Sequence, residues 1–361
     1  MGNGKPAGWI AASANAAATV ENVHVIDIAN KNLPWVGNND ISKSSTCVVG
    51  DVESVAEAAQ SVFDGNLWYI NGVAAPVMLN ATNRATYVHT RVEVSTFAEM
   101  VAAIRADNNA YIALTNDITY DNALITGSNK DASGNAVIST NFSGVIDGQG
   151  HTFNSVALNA SNGSDMRLFR FFTGDIKNID IVATMHNANG QSSAAGVIAL
   201  EFSGVAQNVK LTVTASQLYM ANGYDTQQSG GLFGRLANGA YVKNILVDFT
   251  PAAGDVNVSG FGFVAGFVKE NAVATVKNVV VINRGESVRP IIALLYKTST
   301  VNGTAPAATT RYHSSEANAN TMNSTIITNA LVGDEATVIS GASAILGSKW
   351  VCDGTNIPYL A

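Results

Sequence analysis

One short phrase recurs through the middle of this 361-residue chain and restricts its fold more than any other feature. It reads Ile176-Lys177-Asn178-Ile179-Asp180-Ile181, then Ala206-Gln207-Asn208-Val209-Lys210-Leu211, then Val242-Lys243-Asn244-Ile245-Leu246-Val247, then Val276-Lys277-Asn278-Val279-Val280-Val281. The asparagines Asn178, Asn208, Asn244 and Asn278 are 30, 36 and 34 residues apart. Each later copy follows a Gly-rich apolar segment, such as Gly230-Gly231-Leu232-Phe233-Gly234 or Gly262-Phe263-Val264-Ala265-Gly266. Val and Ile alternating with polar residues mark half-buried strands, and glycines suit corners where layers approach closely. A unit of about 30 residues cannot bury its apolar face alone, so stacked copies must share one core. Asparagines at the same corner of successive coils can stack as an amide ladder along the axis. The competing reading is a β-sandwich with fortuitous similarity.

A longer-range repeat predicts two copies of one module. Thr19-Val20-Glu21-Asn22-Val23-His24-Val25-Ile26 matches Thr275-Val276-Lys277-Asn278-Val279-Val280-Val281-Ile282, which adds Asn22 to the repeat asparagines. Val49-Gly50-Asp51 returns as Val332-Gly333-Asp334, and Trp68, Gly72 and Pro76 keep the spacing of Trp350, Gly354 and Pro358. Residues 1–80 are therefore expected to be the terminal coils and closing segment of a first, truncated module, with 81–91 a polar linker and 92–361 the second module. Thr96-Phe97-Ala98-Glu99 is a capping box, predicting a helix over about 97–107 that covers the open end of the stack against edge pairing. The Trp350–Leu360 segment is expected to close the other end. Eight to twelve coils at about 4.8 Å each would make a rod of roughly 40–60 Å.

Composition narrows the functional classes. The chain has 20 Lys plus Arg against 27 Asp plus Glu, and only 13% of it is charged, about half the usual share. No basic cluster exists to neutralise phosphates, which argues against nucleic acid as a partner. No run of about 18 apolar residues predicts membrane insertion. Cys47 and Cys352 lie far apart with no CxxC pair, so they are expected to be ordinary thiols. The stretch Ala7–Ala16 imitates a signal peptide, but its apolar part is short and broken by Ser13 and Asn15. It aligns better with the glycine-rich segment at Gly262–Gly266.

The run Phe97-Ala98-Glu99, Leu114-x-Asn116-Asp117-Ile118 and Phe142-Ser143-Gly144-Val145-Ile146-Asp147-Gly148-Gln149-Gly150-His151-Thr152 resembles right-handed parallel β-helix modules of bacterial surface proteins. Gly230–Gly234 with Val242–Ile245 is similar to their GLUG-type repeats, which occur in proteins of Bacteroidetes and their phages. The resemblance spans about 92–361, with a partial copy in 1–80. It implies an all-β, right-handed parallel β-helix solenoid with one N-terminal capping helix. It also implies an extracellular, cell-surface or phage-particle setting and an adhesive or structural role. A homo-oligomer, such as a trimer, or a larger assembly would be in keeping with it.

Chemistry is sparse. A hydrolase on such a scaffold needs two carboxylates about the scissile bond, and a calcium-dependent lyase needs clustered acidic oxygens. Asp147 with His151 is the most motif-like pair, but Asp-Gly is first a turn. Asp175, Asp180, Asp165, Arg167 and Arg170 are expected to be loop charges. His24, His89, His151, His186 and His313 form no HxH or HExxH pattern, and there is no GxSxG elbow. No catalytic residue, metal site or cofactor is therefore expected. Two excursions between repeats remain as candidate glycan contacts. The first is Gln217–Asp225, with Tyr219, Asn222, Tyr224 and Asp225. The second is Tyr296–Asn329, with Arg311 and Tyr312. The expected partner is a surface glycan or host-cell surface, the alternative being a polysaccharide lyase or glycoside hydrolase.

Overall fold

The computed structural model describes residues 23–26, 47–64, 67–82, 84–125, 137–160, 167–187, 195–216, 229–252, 261–285, 289–296, 298–305, 310–311 and 326–361. They belong to two compact units, Met1–His89 and Thr90–Ala361.

In the first unit, strand His24–Ile26 pairs in parallel with Val48–Gly50. Asp51 then caps helix α1 (Val52–Ala59), its carboxylate accepting the Ser54 N–H at 2.8 Å. A hairpin follows, Trp68–Tyr69 against Val77–Met78. The rings of His24, Phe63 and Trp68 lie in sequence at 4.6 and 5.0 Å. The stretch read as a plain linker holds a single helical turn, α2 (Arg84–Tyr87).

The second unit is a parallel β-helix whose coils have three faces. The first face stacks eight strands in register, among them Arg91–Val94, Tyr111–Leu114, Val145–Asp147 and the starts of the long strands at 175, 205, 241 and 273. Among the described residues these eight rungs span seven steps of about 4.8 Å, roughly 34 Å, at the lower bound of the eight to twelve coils expected. The third face stacks Ser139–Phe142, Phe169–Phe172, Ala199–Phe202, Phe233–Leu236, Ala265–Val268 and Ile292–Leu295. The second face is formed by strand Thr152–Ala160 and by the far halves of the long strands, such as 180–187 of Asp175–Asn187.

Two corner types hold this shape. Between the third and first faces, backbone passes over backbone. A Cβ on Gly174 would lie 1.8 Å from the Gly144 carbonyl oxygen, and one on Gly204 would lie 1.6 Å from that of Gly174. A Cβ therefore has no room at Gly174 or Gly204, while Ala240 and Ala274 hold the same register position in the next two coils. Between the first and second faces, Asn178, Asn208, Asn244, Asn278 and Asn329 turn the chain with φ between 51° and 56°, a left-handed conformation that asparagine tolerates better than most side chains. Each long strand is thus two strands bent at an asparagine.

Inside, residues stack on their counterparts. Phe142, Phe172 and Phe202 share one column, and all three are fully buried. A neighbouring column alternates Phe169, Ala199, Phe233 and Ala265, so large rings interleave with small side chains, as close packing of stacked coils requires. Helix α3 (Phe97–Ala106) closes one end. Thr96 Oγ1 accepts the Glu99 N–H at 3.2 Å, Glu99 returns a bond to the Thr96 N–H at 3.1 Å, and Phe97, Met100, Val101 and Ile104 join the core.

The Trp350–Leu360 segment does not close the other end; it runs along the flank. Asp334 caps helix α4 (Glu335–Gly341), and the hairpin Trp350–Val351 with Tyr359–Leu360 follows. Val338, Ala342, Leu346 and Trp350 bury Leu246, Val280 and Ile282 on the outside of the second face. Strand Tyr359–Leu360 reaches the coils of 175–187 and 205–216, and Ala361 approaches Gly150. The reason lies in strands 241–251 and 273–283. Val279, Val280, Val281 and Ile282 are all buried, so these strands are apolar on both faces rather than alternating, and the outer face needs a cover.

Candidate functional site

The repeat asparagines form one continuous hydrogen-bonded ladder. Asn208 Nδ2 donates to Asn178 Oδ1 at 3.0 Å, Asn244 to Asn208 at 3.0 Å, Asn278 to Asn244 at 2.8 Å and Asn329 to Asn278 at 3.1 Å. Asn178 Nδ2 in turn donates to Asp147 Oδ1 at 3.1 Å. Every amide points its donor the same way, and the ladder ends on a carboxylate. Neither Asn329 nor Asp147 belongs to the repeated phrase. Asn22 lies outside the described residues. Of the two repeat tryptophans, Trp68 packs in the first unit's aromatic row and Trp350 in the flank cluster.

Charges are spent between coils. Asp180 pairs with Lys210 at 2.9 Å, one coil on. Glu201 pairs with Arg235 at 2.7 Å and Lys269 at 3.0 Å. Asp248 takes Arg284 as a two-pronged partner at 2.7 and 3.0 Å, and the same guanidinium reaches Glu335 of α4 at 2.6 Å. Both carboxylates hold the Arg284 guanidinium's pKa well above its ordinary value. Arg167, read as a loop charge, is buried, and Arg170 lies 5.0 Å from the Phe171 ring. His151 is 3.4 Å from Asp117 rather than paired with Asp147. Cys47 and Cys352 are not joined in a disulfide. Among the described residues no group of three or more His, Cys, Asp or Glu could hold a metal ion, and no helix is long and apolar enough to cross a membrane.

The glycan candidates Tyr219, Asn222, Tyr224, Asp225 and Tyr312 lie outside the described residues. Arg311 is in the short strand Thr310–Arg311, which pairs antiparallel with Leu294–Leu295. Thr300–Val301 adds a rung to the first face, and Asn302 Nδ2 donates to the carbonyls of Val276 and Ile326 at 2.6 and 2.8 Å. In the described part of the Tyr296–Asn329 excursion, the backbone at 300–301 and 310–311 thus pairs with the coils.

At the foot of the ladder is a polar cleft of about 270 Å³, lined by Arg91, Asp147, Gln149, Gly150, Asn178, Lys349, Leu360 and Ala361. Its floor is the buried Asp147, which accepts the Tyr111 hydroxyl at 2.6 Å, Asn178 Nδ2 and the Gln149 N–H, and pairs with Lys177 at 3.8 Å. Burial first, then the bond to Asp147, pushes the Tyr111 phenol far above its ordinary value. Lys177 and Arg91 lie 5.3 and 5.4 Å from the Tyr111 ring, within cation–π range. Of this cleft the sequence reading singled out only Asp147 and Asn178. Arg91, Tyr111 and Lys349 carry no motif and meet only through coil stacking and the flank segment.

Residues 91–225 match the model of a family described as "Putative pectate lyase-like adhesive domain". A comparison with curated protein sequences finds no match. Among solved structures, one from Bacteroides ovatus described as a "putative immunoglobulin A1 protease" aligns at 15% identity with a TM-score of 0.40. The alignment covers 75% of this chain and 92% of that one.

Proposed function

We propose that this chain is a non-enzymatic, extracellular adhesive β-helix module, carried by a bacterial surface protein or a phage appendage. The observation that carries this reading is the match of 91–225 to an adhesive-domain family. Supporting it, the acids Asp147, Asp180, Glu201 and Asp248 each pair with a cation from a later rung of the stack. A carboxylate held in that way is a poor general acid or nucleophile, since its charge and lone pairs are already engaged. The partner is a surface glycan, met by Tyr219, Asn222, Tyr224 and Asp225 and by Arg311 and Tyr312, where aromatic faces and amides offer stacking and hydrogen bonds. Assembly as a homo-oligomer such as a trimer, or as a larger assembly, readable by light scattering, belongs to the same proposal.

The test is a glycan array run beside reducing-sugar and unsaturated-product assays on the captured glycans. Binding without turnover is the expected result. Release of reducing ends or of unsaturated products would overturn the adhesive reading in favour of a polysaccharide-active enzyme.

A further inference from the structure

We infer that the cleft at the foot of the amide ladder binds an anionic substituent, carboxylate or sulfate, carried on a sugar, with Arg91 and Lys349 as its charge partners. This deepens the adhesive reading and rests on it. Asp147 sets the charge balance of the cleft. Its carboxylate has three hydrogen-bond donors, from Tyr111, Asn178 and Gln149, and Lys177 balances its charge. It therefore does not neutralise the cations on the rim. Arg91 has Glu93 at 3.4 Å, but both side chains are about half exposed or more, at 49% and 65%, and such a pair is worth little in water. Lys349 has no ion-pair partner among the described residues, while its carbonyl accepts the Ala361 N–H at 2.9 Å and so fixes it in the hairpin. Two cations thus converge on a cleft whose one acidic side chain, Asp147, is already matched.

The rest of the cleft favours a sugar over a bare ion. Gln149 and Asn178 contribute amides, Gly150 leaves its backbone open to close approach with φ of 86°, and Leu360 supplies one apolar wall. The volume of about 270 Å³ lies just below the usual range for ligand sites and suits a single ring bearing its substituent. Arg91 can take a carboxylate or sulfate two-pronged, with Lys349 as a point charge opposite.

The test titrates the full chain by calorimetry with three probes: a hyaluronan hexasaccharide bearing carboxylates only, a sulfated maltohexaose bearing sulfates only, and plain maltohexaose. At least one anionic probe should bind, weakening as salt rises, and the neutral one should not. Which anionic probe binds identifies the substituent. Arg91→Ala and Lys349→Ala should each weaken binding about tenfold or more. Arg105→Ala, with the same loss of charge outside the cleft, should bind like the parent, and circular dichroism should show all three variants folded. Equal binding of neutral and anionic probes, no binding of either anionic probe, or unchanged affinity in folded Arg91→Ala and Lys349→Ala would each overturn the inference. A chain that captures other array glycans but neither anionic probe loses this inference and keeps the adhesive reading. A chain that degrades its glycan while still depending on Arg91 and Lys349 does the reverse.

Discussion

Asn178 donates its side-chain amide to the Asp147 carboxylate at 3.1 Å, and this single bond gives the whole asparagine ladder a direction. Because Asp147 can only accept, Asn178 must present its NH2 group there and its oxygen to Asn208, and the constraint passes from coil to coil. The ladder therefore works as a register device. A coil displaced so that the next residue took the corner would place Ile179, Val209, Ile245 or Val279 where an amide is needed and reverse which side chains face the core.

Replacing one rung separates the two jobs of these asparagines. Asn244 is buried between two amide partners and has φ of 56°. Asn244→Gly should lose the amide bonds alone, about 1–3 kcal/mol. Asn244→Ala should lose a further ~1 kcal/mol for the left-handed backbone. Urea unfolding of both variants checks this, and an alanine variant as stable as the glycine one would contradict it.

Gly204 should be intolerant of any side chain. A Cβ on Gly204 would sit 1.6 Å from the Gly174 carbonyl oxygen, so Gly204→Ala must separate two coils at the corner. A loss of more than about 3 kcal/mol is expected, beyond the usual range for point changes. Gly303→Ala has nothing within 4 Å of the new Cβ, although its φ is 76°, and should cost only about 1–2 kcal/mol of backbone strain. Thermal melts of the pair give the comparison.

Trp350 should hold the flank segment in place. Trp350→Ala removes a buried ring from the cluster with Leu246, Val280 and Ile282, for which about 3–5 kcal/mol is typical. Hydrogen exchange should then speed up in α4 and the Trp350–Leu360 hairpin before it does in strands Phe169–Phe172 and Ala199–Phe202, and a dye that reports exposed apolar surface should bind. Uniform loss of protection across all coils would show instead that the flank segment and the stack unfold together.

Acid should weaken the helix that starts the flank segment. Bonds from the Thr337 hydroxyl and N–H hold the Asp334 carboxyl below its ordinary value. A folded value below the unfolded one stabilises the protein fully above about pH 3.9, the unfolded aspartate value, and that contribution fades as pH falls through the lower folded value. Asp334→Asn should therefore lie closer to the parent in stability near pH 2 than at pH 7. Melting curves at both pH values measure the difference, and a constant gap would rule the linkage out.

Much of the coil was legible in the sequence because stacking repeats the same local requirements every 30 to 36 residues. Asn178, Asn208, Asn244 and Asn278 share one corner, and the box at Thr96 and Glu99 starts a helix by local bonds alone. The cleft was not legible for the opposite reason. Arg91 and Lys349 are 258 positions apart, in segments with no repeat relation, and neither needs any particular neighbour in sequence. Asp147 looked like an ordinary Asp-Gly turn, which it also is, and its role as ladder terminus depends on Asn178 lying above it.

By itself, the sequence determined the repeating coil, its amide corner, its glycine corner and the helix at one end, since each is set by short-range chemistry, which the coils repeat every 30 to 36 residues. Tertiary structure alone decided where the closing segment goes, which strands are covered on both sides and which charges meet. Those outcomes depend on which outer surfaces remain apolar once the coils have stacked, a property of the folded flank that no local stretch of chain carries.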